Sequence, residues 1–155
     1  GTFANQTGLT LCSACPIGSF SEAGWGECEE CQAGWTTAQA GSSVCLQCSP
    51  GHFSHAGGRC IPCPVGSYSE SYGQSACVSC LGSLTTQYPG TSSPDACLCA
   101  AGTYRPAADS ARESCLPCPE GMTCSIGSDW RNIETLEGTR PMVVQGYMSL
   151  AGQPE

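Results

Sequence analysis

Six Cys-x-x-Cys pairs stand along this chain, at Cys12/Cys15, Cys28/Cys31, Cys45/Cys48, Cys60/Cys63, Cys77/Cys80 and Cys115/Cys118, with a tighter Cys97-Leu98-Cys99 interrupting the series. Paired thiols at this spacing support three chemistries: a four-thiolate zinc site, dithiol redox exchange, and structural disulfides. Zinc sites take cysteines in fours, whereas the 15 cysteines here run in one unbroken series that does not divide that way. Redox exchange needs a pair at the start of a helix that follows a strand, where the helix dipole lowers the thiol pKa. Here glycine and proline follow the pairs. Crosslinking is the chemistry that fits.

The remaining polar groups offer less. His52 and His55 share one hairpin, Gly51-His-Phe-Ser-His55, a spacing at which two imidazoles can share a metal or sense pH, but no carboxylate stands beside them and they read as solvated loop residues. Glu27, Glu29 and Glu30 flank Cys28 without the Asp-x-Asp/Asn-Glu arrangement of calcium-binding modules, and read as a solvated acidic face. No serine, histidine and acid trio has a local signature. The chain is therefore read as non-catalytic, with no cofactor and no metal. Trp25, Trp35 and Trp130 are its largest apolar groups. The first two fall in successive units and are expected to pack there, and whichever of the three is exposed is a candidate partner contact. Asn5-Gln6-Thr7 is the single N-glycosylation sequon, and Thr36-Thr37, Ser42-Ser43 and Thr91-Ser92-Ser93 read as turns or O-glycan sites.

What must hold these groups in place is not an ordinary core. Leu, Ile, Val and Phe fill 21 of 155 positions, too few to bury enough apolar surface against the entropy of ordering the chain unless crosslinks reduce that entropy first. Gly and Pro add 20 and 11 residues and put turns where helices would run, so long helices are not expected before residue 125. Thirteen acids against five arginines and no lysine leave a net charge of -8, which opposes nucleic-acid binding. No stretch approaches the roughly 20 apolar residues of a membrane helix, so no membrane insertion by this segment is expected.

The pairs recur every 15 to 20 residues. Three positions after the second cysteine comes glycine (Gly18, Gly34, Gly51, Gly66, Gly102, Gly121), and often at the fifth an aromatic (Phe20, Phe53, Tyr68, Tyr104). Glycine allows the positive φ of a tight turn, and the aromatic suits a thin strand over a neighbouring disulfide. Each unit reads as a small irregular hairpin contacting its sequence neighbours alone, so that the whole is an extended rod. Gly1-Thr2-Phe3 followed by Cys12 repeats the order and spacing of Gly66-Ser67-Tyr68 followed by Cys77. That register places a partner for Cys12 three residues ahead of Gly1 and leaves Cys12 unpaired here. Closure of a Cys-x-x-Cys on itself is strained, which leaves two pairings open: sequential, each second cysteine with the first of the next pair, or interleaved, Cys12 with Cys28 and Cys15 with Cys31.

Cys12-Ser-Ala-Cys15-Pro-Ile-Gly-Ser-Phe20, Cys60-Ile-Pro-Cys63-Pro-Val-Gly-Ser-Tyr68 and Cys97-Leu-Cys99-Ala-Ala-Gly102-Thr-Tyr104-Arg105 resemble the cysteine-rich repeats of ephrin receptors, over roughly residues 1 to 124. The hairpins also resemble the first submodule of tumour-necrosis-factor-receptor repeats and other small EGF-like disulfide modules. The ending from Cys118 to Ser149 is similar to multi-repeat surface proteins of protists. The tumour-necrosis-factor-receptor likeness implies the sequential pairing: Cys15-Cys28, Cys31-Cys45, Cys48-Cys60, Cys63-Cys77, Cys80-Cys97, Cys99-Cys115 and Cys118-Cys124. At about 13 to 17 residues per loop, each closure removes on the order of 3 kcal/mol from the unfolded chain.

The expected fold is small and disulfide-rich, mostly irregular with short β-hairpins and little helix, drawn out as an elongated rod of tandem modules. Residues 1–12 form the end of a truncated repeat; 13–28, 29–45, 46–60, 61–77, 78–97 and 98–115 are modules; 116–124 is a short terminal one. Residues 125–155 are a cysteine-free tail or the start of a next domain, with a helix start expected at Asp129 to Glu137 and an extended arm from Pro141. The sequence at hand holds no kinase segment and no ephrin-binding domain, so the resemblance carries over the module type and not receptor signalling. The expected role is a structural or adhesive spacer in a secreted or cell-surface protein that travels the secretory pathway, carries covalent glycans, and partners other extracellular proteins or copies of itself. The alternatives are a segment of an extracellular filament such as a flagellar hair, and a ligand-binding receptor stalk.

Overall fold

A computed structural model describes residues 1–4, 12–106, 114–130 and 141–144. Its regular structure is a run of two-residue strands paired into eight antiparallel hairpins. Hairpin 1 joins β1 (Thr2–Phe3) to β2 (Ser13–Ala14), hairpin 2 β3 (Ser19–Phe20) to β4 (Glu29–Glu30), hairpin 3 β5 (Trp35–Thr36) to β6 (Leu46–Gln47), and hairpin 4 β7 (His52–Phe53) to β8 (Ile61–Pro62). Hairpin 5 joins β9 (Ser67–Tyr68) to β10 (Val78–Ser79), hairpin 6 β11 (Leu84–Thr85) to β12 (Leu98–Cys99), hairpin 7 β13 (Thr103–Tyr104) to β14 (Leu116–Pro117), and hairpin 8 β15 (Met122–Thr123) to β16 (Met142–Val143). Among the described residues the one helical element is a 3₁₀ turn, Pro94–Ala96, capped by the Ser93 hydroxyl. None of their helices is long and apolar enough to cross a membrane.

Short strands follow from the repeat. In hairpins 1 to 5 and 7 the first strand begins just after the turn glycine and the second strand is the pair of residues between two cysteines. Hairpin 6 is the variant, because in Cys97-Leu98-Cys99 one residue separates the thiols and Cys99 itself enters the strand. Seven disulfides tie the units: Cys15–Cys28, Cys31–Cys45, Cys48–Cys60, Cys63–Cys77, Cys80–Cys97, Cys99–Cys115 and Cys118–Cys124. Cys12 is exposed and has no disulfide partner among the described residues.

The interior consists of sulfur and hydroxyl groups. Cys15, Cys31, Cys48, Cys63 and Cys99 are buried to 2% exposure or less, and so are Ser21, Thr37, Ser54, Ser69, Thr86 and Ser128, while apolar residues such as Leu46, Ile61 and Val78 face solvent.

Hairpin 8 extends the pattern beyond the last cysteine. The amide of Val144 bonds to the Gly121 carbonyl at 2.9 Å, as that of Cys118 bonds to Gly102 at 2.9 Å, so Val144 stands where a second cysteine stands elsewhere. Residues 141–144 thus return as an extended arm onto the last cysteine-containing unit. Beyond Trp130, the helix expected from Asp129 to Glu137 lies outside the described residues.

Candidate functional site: the joints between hairpins

The feature that recurs is the joint, built from three positions. The turn glycines take positive φ, from 77° at Gly121 to 90° at Gly18. Five of them, Gly121 being in the last hairpin, offer the amide to the next hairpin, in each case to the residue six positions after the second cysteine of that hairpin's leading pair. Gly18 bonds to the Thr37 hydroxyl at 3.0 Å and Gly66 to that of Thr86 at 3.0 Å. Gly34 bonds to the Ser54 carbonyl at 2.9 Å, Gly51 to that of Ser69 at 2.7 Å, and Gly102 to that of Cys124 at 2.8 Å. The buried Ser54 hydroxyl returns a bond to the Trp35 carbonyl at 3.1 Å. At Thr37, Ser54, Ser69 and Thr86 a small hydroxyl residue suits this buried position, where the neighbouring backbone needs a partner.

A second set of bonds skips one hairpin. The loop glycines Gly41, Gly57, Gly73, Gly90 and Gly127 donate to the carbonyls of Cys15, Cys31, Cys48, Cys63 and Cys99, at 2.8 to 2.9 Å. From the other side the turn glycines press on those loops. A Cβ on Gly18 would lie 2.0 Å from the Gly57 carbonyl oxygen, on Gly34 2.0 Å from that of Gly73, and on Gly51 2.1 Å from that of Gly90. The expectation that units contact their sequence neighbours alone is therefore corrected: among the described residues, hairpins 1, 2, 3, 4 and 6 each also stack on the one two places on. The reason is geometric, since a unit with a two-residue strand and no side-chain core has to satisfy its backbone groups on whatever backbone lies nearest.

Other residues singled out by sequence lie as follows. Trp25 is half-buried against Phe20 of its own hairpin, ring centroids 5.8 Å apart, and not in the next unit. Trp35 is half-buried and lines, with Phe20, Glu29 and Glu30, a shallow cleft of about 270 Å³ between hairpins 2 and 3. Trp130 is 38% exposed and meets Tyr104 across the joint of hairpins 7 and 8, centroids 6.0 Å apart, beside the ion pair of Arg105 and Asp129 at 3.5 Å. His52 is half-buried with Nδ1 3.4 Å from the Pro50 carbonyl, and exposed His55 edges onto Phe53. Glu27, Glu29 and Glu30 are exposed. Among the described residues no three His, Cys, Asp or Glu side chains converge as metal ligands. Asn5 lies outside the described residues. Thr37, one of the hydroxyls considered for O-glycans, is 2% exposed and engaged in a joint, which removes it as an acceptor.

The joint was readable in part. Ser or Thr recurs six residues after the second cysteine at Ser21, Thr37, Ser54, Ser69 and Thr86, and a second glycine recurs three or four residues before the next pair at Gly24, Gly41, Gly57 and Gly73. Both signals stand in the sequence.

With these hairpins in view, the comparison with known proteins is direct. The model of the family described as tyrosine-protein kinase ephrin type A/B receptor-like matches residues 1–48 and 51–97, more than half of the chain. The chain belongs to this ephrin-receptor-like family. Signal peptide, CUB and EGF-like domain-containing protein 2 of Danio rerio is 37% identical over 99 residues, 59% of this chain and 10% of that protein. Cysteine repeat modular protein A of Toxoplasma gondii is 29% identical over 119 residues, 65% of this chain and 4% of that protein. Thyroglobulin of Mus musculus is 44% identical over 54 residues, 35% of this chain and 2% of that protein. The chain thus spans a tenth or less of each, and what is shared is an extracellular-type cysteine-rich module within long proteins.

Proposed function

We propose that this chain is a non-catalytic extracellular spacer: a column of crosslinked hairpins that separates and supports other parts of a larger secreted or cell-surface protein, in mechanical support or adhesion. The observation that carries this reading is the repeated joint, in which the same backbone bonds recur between hairpins one and two places apart. Stability built this way is a sum of local terms, so the column can lengthen by adding units without needing a larger core. One disulfide per unit suits an oxidising environment, which reductive compartments would undo. The relatives named for a signal peptide support passage through the secretory pathway.

Small-angle scattering on the monomer tests the reading. A spacer should have a radius of gyration well above the ~15 Å of a compact 155-residue domain. A value near that figure would remove the spacer. Non-reduced peptide mapping of secreted protein should find Cys15 bonded to Cys28 and a glycan on Asn5; free thiols throughout would remove the extracellular assignment.

A further inference from the structure

The cleft of about 270 Å³ between hairpins 2 and 3 is lined by side chains that take no part in the joints. Two half-buried aromatic rings, Phe20 and Trp35, face it together with Cys31 and Cys45, which are locked to each other by their disulfide, while Glu29, Glu30 and Gln32 stand exposed around it. Every lining residue falls between positions 20 and 45, inside the stretch 12–106 that is described without a break.

Its parts are held from several sides. Phe20 pairs with Glu29 across hairpin 2, and its ring rests on Trp25. Trp35 pairs with Gln47 across hairpin 3, donates its amide to the Gln32 carbonyl at 3.0 Å and accepts the Ser54 hydroxyl on its own carbonyl. Glu30 is placed by hairpin 4: a Cβ on Gly57 would fall 2.9 Å from the Glu30 carboxyl carbon, so the glycine lets that carboxylate lie against the loop. Neither Glu29 nor Glu30 has a basic partner among the described residues, where the one ion pair is Arg105 with Asp129. Arg59, the other described arginine, does not line the cleft.

We propose that this cleft binds the guanidinium group of an arginine on a partner protein. The argument is charge complementarity on an aromatic surface. The faces of Phe20 and Trp35 attract a cation through their ring quadrupoles, and the two unpaired carboxylates supply acceptors for its N–H groups. A metal ion asks for a fuller set of donors, and among the described residues no three ligand side chains converge. A guanidinium is planar, weakly hydrated and able to stack on a ring while forking onto a carboxylate, which an ammonium cannot do. The cation has to come from outside, since the chain has no lysine and a net charge of -8. That charge also draws a basic partner in, an attraction that salt weakens. A cleft of this size takes one side chain, so it serves as an anchor within a wider contact. This goes beyond the spacer reading, which requires no ligand.

The probe is the blocked peptide acetyl-Gly-Arg-Gly-amide, titrated into the 155-residue chain and followed by amide and indole N–H resonances. The Trp35 indole and the Gln32 amide should shift along one saturating curve. The same peptide with citrulline, which keeps the shape and loses the charge, should bind about tenfold more weakly. Glu29→Gln, at an exposed position, should weaken the arginine peptide by about threefold, and Glu22→Gln, an exposed acid outside the cleft, should leave it unchanged. No saturable shift at Trp35, equal binding of the citrulline peptide, or equal losses in the two glutamate variants overturns the proposal. The scattering test of the spacer uses no peptide, so the two readings fail separately.

Discussion

Gly34→Ala and Gly102→Ala form a matched pair that isolates the stacking of hairpins two places apart. Both glycines are turn residues with nearly the same backbone, φ 86° and 82°, and both donate their amide to the next hairpin. In either, the left-handed conformation costs an alanine about 1–2 kcal/mol. There the likeness ends. A Cβ on Gly102 meets open space, whereas one on Gly34 falls 2.0 Å from the Gly73 oxygen and 2.5 Å from its carbon. Relief requires the hairpin 5 loop to retreat by more than an ångström, a backbone shift of about 1–3 kcal/mol, and the 2.9 Å bond from Gly73 to Cys48 is lost with it, about 1 kcal/mol more. The Gly34 variant should thus lose about 3 kcal/mol beyond the Gly102 variant, on the order of 100-fold in local opening. Amide hydrogen exchange reads this directly. Protection at Gly73 should collapse in Gly34→Ala while Gly57 and Gly90 keep theirs, and Gly102→Ala should show the smaller, strain-only loss at Cys118. Equal losses in the two variants, or an unchanged Gly73, would refute the account of the joint.

Three further outcomes follow from the same geometry. Ser54→Ala removes the bond to Trp35 from a fully buried site and should cost about 1–2 kcal/mol, whereas exposed Ser43→Ala should leave the thermal midpoint unchanged. Replacing both cysteines of Cys80–Cys97, sequence separation 17, should destabilise by about 1 kcal/mol more than replacing Cys118 and Cys124, separation 6, as seen in denaturant midpoints. Asp129→Asn should loosen hairpin 8 by about 2 kcal/mol, because Arg105, its side chain 15% exposed, keeps a charge with less to balance it; Trp130 fluorescence should report the change, and the double variant with Arg105→Leu should recover part of the loss.

Local chemistry was legible in the residues. Cysteines every 15 to 20 positions, with glycine three places on, dictate tight disulfide-closed hairpins because turn, strand and crosslink all lie within one short span of chain. The scarcity of Leu, Ile, Val and Phe likewise announced that crosslinks replace a core. The glycine at position 18 could be assigned its positive φ from the turn alone, and it has one, 90°. That the cysteine-free tail begins as another hairpin was not legible. Val144 carries no thiol to mark the repeat, and its place is visible only in the bond to Gly121.

What tertiary structure alone decided is which backbone groups meet. That Gly18 must be glycine for a second reason, the carbonyl of Gly57 pressed against it, depends on how far each hairpin turns relative to the last. That angle is set by the sum of the bonds around residues such as Thr37 and Ser54, none of which has a side chain large enough to leave a hydrophobic pattern in the sequence. Periodicity records side chains buried on one face of an element; here the buried partners are amides, carbonyls and sulfurs, which every unit carries alike. The cysteines therefore determine the unit, and the stacking of the units emerges only when their backbones are placed together.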